Sequence, residues 1–336
     1  MKVRYAAMLF NKGIDRGLRI DDHSYISSAD VSQILDSSRI EHWRSYIGTQ
    51  TWSDLLACDS AFVFYEKNSK GEVNQDLKVK TNVAWYSLLL TDTPFSFYRT
   101  AFVVAGTGSL NDNNELENAD INHYETMQTI VQPCYHESQS FTESLDSSGD
   151  DLGFKAENLR ESYLLLESLQ ADVGVTSIVH DALESFRDAR AHGMATTAIA
   201  RFVESAEAVL AMPRGNCGKV EFSRRALKIC SFQDQPYLGW TTETLLNEIL
   251  PRLYRVRIAR NHGKGTTDIL SMEFNDSSDP TEEVCKLSYL SELLARRCIM
   301  TLLRHKDPTS LIKSRDQLEK AWGSDQFPHL TRHCLK

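Results

Sequence analysis

Hydrophobic and polar positions change period partway along the chain. In roughly the first 150 residues the apolar positions come in short runs rich in Phe, Tyr and Val, at Lys2–Phe10, Ala61–Tyr65 and Ser96–Ala105, and these are the expected strands. Val31–Leu35 and Trp52–Leu56 read as short helices. Asn82–Leu90 is a continuous apolar run of intermediate length that periodicity alone assigns to neither helix nor strand. Lys67–Gly71 reads as a turn and Gly106–Asn114 as a loop, because glycine, asparagine and aspartate supply turn conformations. Between Glu137 and Asp151 the composition shifts to Ser, Asp, Glu and Gly, which marks a linker.

Beyond that linker the period becomes helical. Leu159–Leu169 and Ile178–Phe186 carry apolar residues at helical spacing and are expected as connecting helices. Ala195–Ala211 has one buried stripe, Ile199, Phe202, Val203, Ala206, Val209 and Leu210, and ends before Pro213, Gly215 and Gly218. Val220–Cys230 predicts a shorter basic helix, closed by the Gln235, Pro236 and Gly239 region. A central helix begins at Thr241 or Thr242, with Leu246, Ile249, Leu250, Leu253 and Val256 as its core face. Pro251 kinks it or starts a second segment, and Gly263 and Gly265 end it. The last long helix opens on Asp279 as cap, Pro280 as first residue and Glu282 at the capping-box position. It turns Val284, Leu287, Leu290, Leu294, Cys298 and Leu302 inward. One more helix is expected over Leu311–Trp322. The predicted fold is α+β, with a mixed α/β domain over 1–150, connecting helices over 151–190, a four-helix bundle over 191–306 and a C-terminal helix and tail over 307–336.

Composition narrows the classes. The chain has 336 residues, 41% hydrophobic and 25% charged, enough apolar material for sizeable cores. Its opening residues hold only a short apolar run, Ala6–Phe10, and no stretch approaches the ~20 apolar residues of a membrane span, so neither a signal peptide nor a membrane partner is expected. The seven cysteines are scattered and form no CxxC pair, which fits reduced thiols in a cytoplasm better than a disulfide framework or a zinc knuckle. The histidines are equally dispersed, so no metal site and no cofactor is expected.

Charge singles out one stretch. The formal net charge is −9. Yet from Arg252 to Lys264 the chain gathers Arg252, Arg255, Arg257, Arg260, His262 and Lys264, with no acidic residue among them. Such a cluster is either a solvated helix face, whose last turn the macrodipole favours for cations, or a local phosphate-binding surface. An arginine's planar fork suits a phosphate, and a histidine is the side chain suited to moving a proton near neutrality.

The four helices and the phrase Leu253-Tyr254, then Arg257-Ile258-Ala259-Arg260-Asn261-His262, then Gly263, resemble the HEPN superfamily, most closely its Apea-like branch. The segment Ser205-Ala206-Glu207-Ala208-Val209-Leu210 is similar to the part of the first bundle helix where such domains carry a glutamate. Ile47-Gly48-Thr49-Gln50-Thr51-Trp52, with Asn82–Leu90, resembles the leader domain attached to these bundles. The resemblance implies a metal-independent endoribonuclease, acting as a homodimer in toxin or anti-phage defence, with Arg257 and His262 as the catalytic pair. It implies support from Glu207, which would orient one of them, from Asn261, a substitute amide, and from Arg255, whose spacing to His262 is also permitted. RNA guidance would come from Arg252, Arg260 and Lys264, with Tyr254 stacking on a base. A protein or phage trigger would act through the N-terminal domain. The residue after Arg257 is Ile258, where the family carries a polar side chain, and this favours the alternative of a non-catalytic HEPN module that binds RNA, a nucleotide or a protein partner.

On a straight helix, at about 100° per residue, Arg257 and His262 lie roughly 140° apart, whereas Arg255 and His262 lie within about 20° of one stripe. Convergence of Arg257 and His262 within one chain therefore requires the helix to loosen before Gly263.

Overall fold

The computed structural model describes residues 2–11, 17–28, 34, 49–67, 75–91, 98–99, 101–113, 116–126, 130–131, 156–173, 178–192, 194–212, 218–230, 240–275 and 277–323. These form two compact units. One contains the strands and the helical segment up to Glu167, and the other holds the helices from Ser168 onward. An antiparallel sheet followed by helices makes the fold α+β, as the change of period predicts.

The sheet comprises β1 (Lys2–Phe10), β2 (Leu18–Asp21), β3 (Ser24–Ser27), β4 (Ser60–Lys67), β5 (Phe102–Leu110) and β6 (Leu116–Thr126), in the order β2-β3-β4-β1-β5-β6 with every neighbouring pair antiparallel. Central β1 is buried from Val3 to Phe10 because both sheet faces are covered. Val3, Tyr5, Ala7 and Leu9 join Val63, Tyr65, Phe102 and Val104 in a core with Trp52 and Leu55 of α1 (Thr49–Leu56). The alternate residues of β4, Phe62 and Phe64, stack at 4.6 Å and pack on Tyr163 of α3 (Ala156–Val173). The ambiguous run Asn82–Leu90 is helical, within α2 (Gln75–Thr91), which lies against β1 and β4.

Gly106–Asn114 is corrected in part: residues 111–113 turn as expected, with the Asn113 amide donating to the Asn111 side chain at 2.9 Å. Residues Gly106 to Leu110 continue β5 and pair with β6, with register shifts beside Gly106 and between Thr107 and Ser109. These glycines answer close backbone approach rather than a turn: a Cβ on Gly106 would lie 1.9 Å from the Asp120 carbonyl oxygen. The β2–β3 hairpin and the polar strand β6 are further elements that the apolar pattern did not predict. Ser96–Ala105 begins its sheet pairing with β1 only at Phe102. The linker Glu137–Asp151, the Gln235–Gly239 region and all of Val31–Leu35 except the helical Ile34 lie outside the described residues.

In the helical unit, α5 (Ala195–Leu210) is the central element: α4 (Ile178–Ala191), α7 (Leu250–Asn261) and α9 (Pro280–Leu303) all pack along it. Its alanines, Ala198, Ala200 and Ala206, are buried together with Ile199, Phe202, Val203 and Val209, so small residues admit neighbours on more than one side. The Ser205 hydroxyl ties α5 to α4 by donating to the Ala182 carbonyl at 2.7 Å. Thus α4, expected as part of a connector, lies against both α5 and α9.

The carbonyls at the C-terminal end of α5, which no further turn can satisfy, take side-chain donors instead. Arg225 of α6 (Gly218–Cys230) donates to the Leu210 and Ala211 oxygens at 2.6 and 2.9 Å. Arg315 and Trp322 of α11 (Arg315–Gly323) donate to Met212 and Val209 at 2.8 and 3.0 Å. Ala211 itself is left-handed, with φ 46°.

Thr241 caps the central helix, accepting from the Thr244 amide at 3.1 Å. Between Thr242–Thr244 and α7 lies a π turn, Leu245–Ile249, directly before Pro251. Proline has no amide to give and its ring crowds the preceding turn, and a widened turn accommodates both. Pro251 is thus absorbed by the π turn.

Two further expectations are corrected. Asp279 caps α9 by accepting from Thr281 and Glu282 amides at 3.0 Å each, but Glu282 does not complete a capping box. Its carboxylate pairs with Lys286 at 2.5 Å, and the Asp279 amide donates to Ser277 instead. The expected helix Leu311–Trp322 is two: α10 (Pro308–Lys313) and α11, separated at Ser314, whose extended backbone breaks the turn. A short helix, α8 (Thr266–Glu273), follows α7 where the glycines gave only a stop signal.

Candidate functional site

The candidate site is built on α7 and the facing side of α5. Leu250, Leu253, Val256 and Ala259 bury one face of α7, which leaves its arginines half-buried at the margins. Helical spacing puts Tyr254, Arg257 and Asn261 along one stripe, three and four residues apart, and Glu204 and Glu207 along another on α5. The stripes meet. The Arg257 Nη2 lies 2.9 Å from Glu207 Oε2, with the guanidinium 5.9 Å from the Tyr254 ring centroid. The Asn261 amide donates to Glu204 at 2.9 Å, and Glu204 also takes Arg201 at 2.8 Å. Tyr254 is held from behind by Phe222, ring to ring at 5.3 Å, and by Gly218, where a Cβ would come within 2.5 Å of the hydroxyl.

Electrostatics at Glu207 are mixed. Burial raises its carboxyl above the ordinary carboxylate range, and neighbouring Glu204 adds to the rise. Arg257, a hydrogen bond from Tyr254 and the charge of Arg315 oppose it. The Tyr254 hydroxyl is raised in turn, first by burial and then by the Glu207 charge.

The other cations of the cluster are spent differently. Arg255 Nε donates to Glu273 of α8 at 2.7 Å, and Arg252 pairs with Glu283 of α9 while lying 5.6 Å from the Phe274 ring centroid. Arg260 reaches back to the Lys264 carbonyl at 3.1 Å. Three of the arginines are therefore matched to glutamates from three different helices, which explains how an acidic chain tolerates so basic a stretch.

His262 and Lys264 are exposed, and among the described residues no bond is made to the His262 ring or the Lys264 ammonium. His262 stands at the C-cap of α7. Its amide still donates to Ile258 at 3.0 Å, the Lys264 amide donates to Ala259 and the Gly263 amide to Arg260, while Gly263 takes φ +77°. These are the bonds of a Schellman ending. The helix does not loosen before Gly263, so Arg257 and His262 keep their angular offset of roughly 140°. Arg257 faces α5, and His262 faces solvent at the helix end. Ile258, the residue after the motif arginine, is 36% exposed.

Several side chains at the site were not singled out from sequence. Glu204 lies three residues before Glu207 on the same helix face, a spacing that was legible. Glu273, Glu283 and Arg315 arrive from other helices and carried no local signal. Among the described residues no group of three His, Cys, Asp or Glu could hold a metal ion, and no helix is long and apolar enough to cross a membrane.

Comparison of the chain with protein-family models, with curated proteins and with solved structures found no match. The fold and the site are therefore characterised by their own geometry: an α+β chain whose helical unit sets an arginine–glutamate–tyrosine cluster beside a free, helix-terminal histidine.

Proposed function

We propose that this chain is a metal-independent endoribonuclease of the HEPN type, a cytoplasmic homodimer acting in toxin or anti-phage defence, with the N-terminal unit sensing a trigger. The observation that carries the reading is the contrast between the two motif residues. Arg257 is braced by Glu207 and Tyr254, and His262 stands exposed and unpaired at the rigid Schellman end of the same helix. Since the two point apart in one copy, a two-fold pair supplies what one chain lacks, setting the arginine of each copy by the histidine of the other across one groove. One His262 takes the proton from the ribose 2′-hydroxyl as its oxygen attacks phosphorus. The second protonates the 5′-oxygen as the P–O5′ bond breaks, leaving a cyclic phosphate and a 5′-hydroxyl. Arg257 holds the phosphate oxygens, and Arg260 and Lys264 steer the strand. With Arg252 and Arg255 matched to Glu283 and Glu273, Arg252 moves from RNA contact, and Arg255 from support of His262, to fixing α7.

The exposed Ile258 supports a second reading, a non-catalytic HEPN module that binds RNA, a nucleotide or a protein partner. Incubating the purified protein with total RNA in EDTA separates the two. Cleavage that yields cyclic or 3′-phosphate ends and disappears in His262→Ala and in Arg257→Ala supports the nuclease. Salt-sensitive RNA binding that survives His262→Ala, with no cleavage by the parent, supports the module. Cleavage undiminished in both variants sinks the assignment of these residues.

A further inference from the structure

The arginine–glutamate pairs of α7 are not alike. Arg255 and Glu273 meet as an aligned hydrogen bond at 2.7 Å, and Arg252 and Glu283 also hydrogen-bond. Arg257 and Glu207 approach to 2.9 Å, yet the contact is not aligned as a hydrogen bond: Glu207 Oε2 and Arg257 Nε are both buried atoms without a hydrogen-bond partner. A guanidinium fork offers parallel donors to an oxyanion, and here Nε is unused while the other arm meets the carboxylate off axis. The Glu207 side chain is 13% exposed and that of Arg257 28%, so solvent reaches the arginine's side of the contact. Tyr254 also acts on the carboxylate, and the charge of Glu204 opposes its own. The Arg257 fork thus keeps a donor, Nε, that its resident carboxylate leaves unused.

We infer that Arg257 is an anion-binding site held closed by Glu207, the carboxylate occupying the place that a phosphate- or sulfate-type oxyanion takes when it engages both arms of the guanidinium. The inference deepens the proposed function, since it rests on Arg257 as the phosphate-holding residue and adds that RNA must displace Glu207 to reach it. Glu207 then acts as a positioning residue and a brake. It keeps the arginine in the groove and lowers its affinity for phosphodiesters until a strand with several contacts competes successfully. Glu204 holds Asn261 and Arg201 by ordinary hydrogen bonds and is not displaced.

The test uses inorganic sulfate, whose charge is constant near neutrality, titrated by calorimetry into the full-length protein at pH 7.5. Removing the resident charge in Glu207→Gln is expected to tighten sulfate binding about tenfold, the scale of a single competing charge contact at a partly exposed site. The gain must vanish in Glu207→Gln/Arg257→Met. Glu207→Ala provides the same readout if the glutamine variant folds poorly, as judged by its circular dichroism. Equal or weaker sulfate binding after loss of the carboxylate, or a gain that persists without Arg257, overturns the inference. The same proteins are assayed for RNA cleavage. An Arg257-dependent gain in sulfate binding with no cleavage by any variant keeps the anion site and removes the nuclease. Cleavage without the gain keeps the nuclease and removes the brake.

Discussion

Replacing Gly263 by alanine isolates the one backbone position on which the placement of His262 depends. Gly263 has φ +77°, and a Cβ built there meets no atom within 4 Å, so the cost of alanine is conformational and not steric. Left-handed backbone costs an L-residue roughly 1–2 kcal/mol. Alanine also restricts the unfolded chain, which returns about 0.4–1 kcal/mol. The net expectation is a loss of about 0.5–1 kcal/mol, concentrated at the end of α7. Because the chain has two units, a single unfolding midpoint is a poor measure. Hydrogen exchange followed by mass spectrometry over 250–265 reads the Gly263 and Lys264 amides directly, whose bonds to Arg260 and Ala259 close the helix. Their protection should fall about two- to fivefold in Gly263→Ala and less in Gly263→Asn, since asparagine tolerates this region. Unchanged or increased protection in the alanine variant would falsify the left-handed ending, and with it the account of how His262 is presented.

Other expected outcomes follow from the packing. Gly106→Ala places a methyl 1.9 Å from the Asp120 carbonyl, a backbone atom that cannot swing aside, so the sheet should lose more than about 3 kcal/mol, read as faster proteolysis of the N-terminal unit. Gly108→Ala, whose nearest contact is the Leu116 side chain at 2.8 Å, should be milder. In α6, hydrogen bonds from Arg224 and Arg225 hold the Glu221 carboxyl down at about 2, from an ordinary 4.5. A depressed carboxylate stabilises the fold above its unfolded value and loses that contribution as pH falls through the folded one. Glu221→Gln should therefore be less stable than the parent at pH 7, and the difference in urea midpoint should close between pH 4.5 and 2. A difference that grows on acidification would contradict the assignment.

The candidate site was legible in part. Thr241 and Asp279 as caps, Gly263 as a stop, the disturbance at Pro251 and the buried stripe of α5 all follow from local chemistry, and each appears where its residue type requires. Gly106 shows the limit: the same residue type serves a turn or a crowded ladder, and only the position of Asp120 distinguishes them. Strand β6 was illegible because its residues are largely polar, and α8 because two glycines hid a helix that starts directly after them.

What the sequence by itself determined was the division into a sheet-forming part and a helical part, and the gathering of cations along one helix. Both depend on spacing along the chain, which periodicity and composition report directly. What only the tertiary structure decided was how those cations are spent. Arg252, Arg255 and Arg257 take partners from α9, α8 and α5, while His262 and Lys264 remain exposed. Pairing of this kind is a matter of which helices pack together, so a stretch that reads as uniformly basic becomes three buried or braced pairs and a free end. The same packing leaves Glu207 beside Arg257 without a well-aligned bond. No local pattern encodes that arrangement, because it needs the register of two helices brought together across the fold.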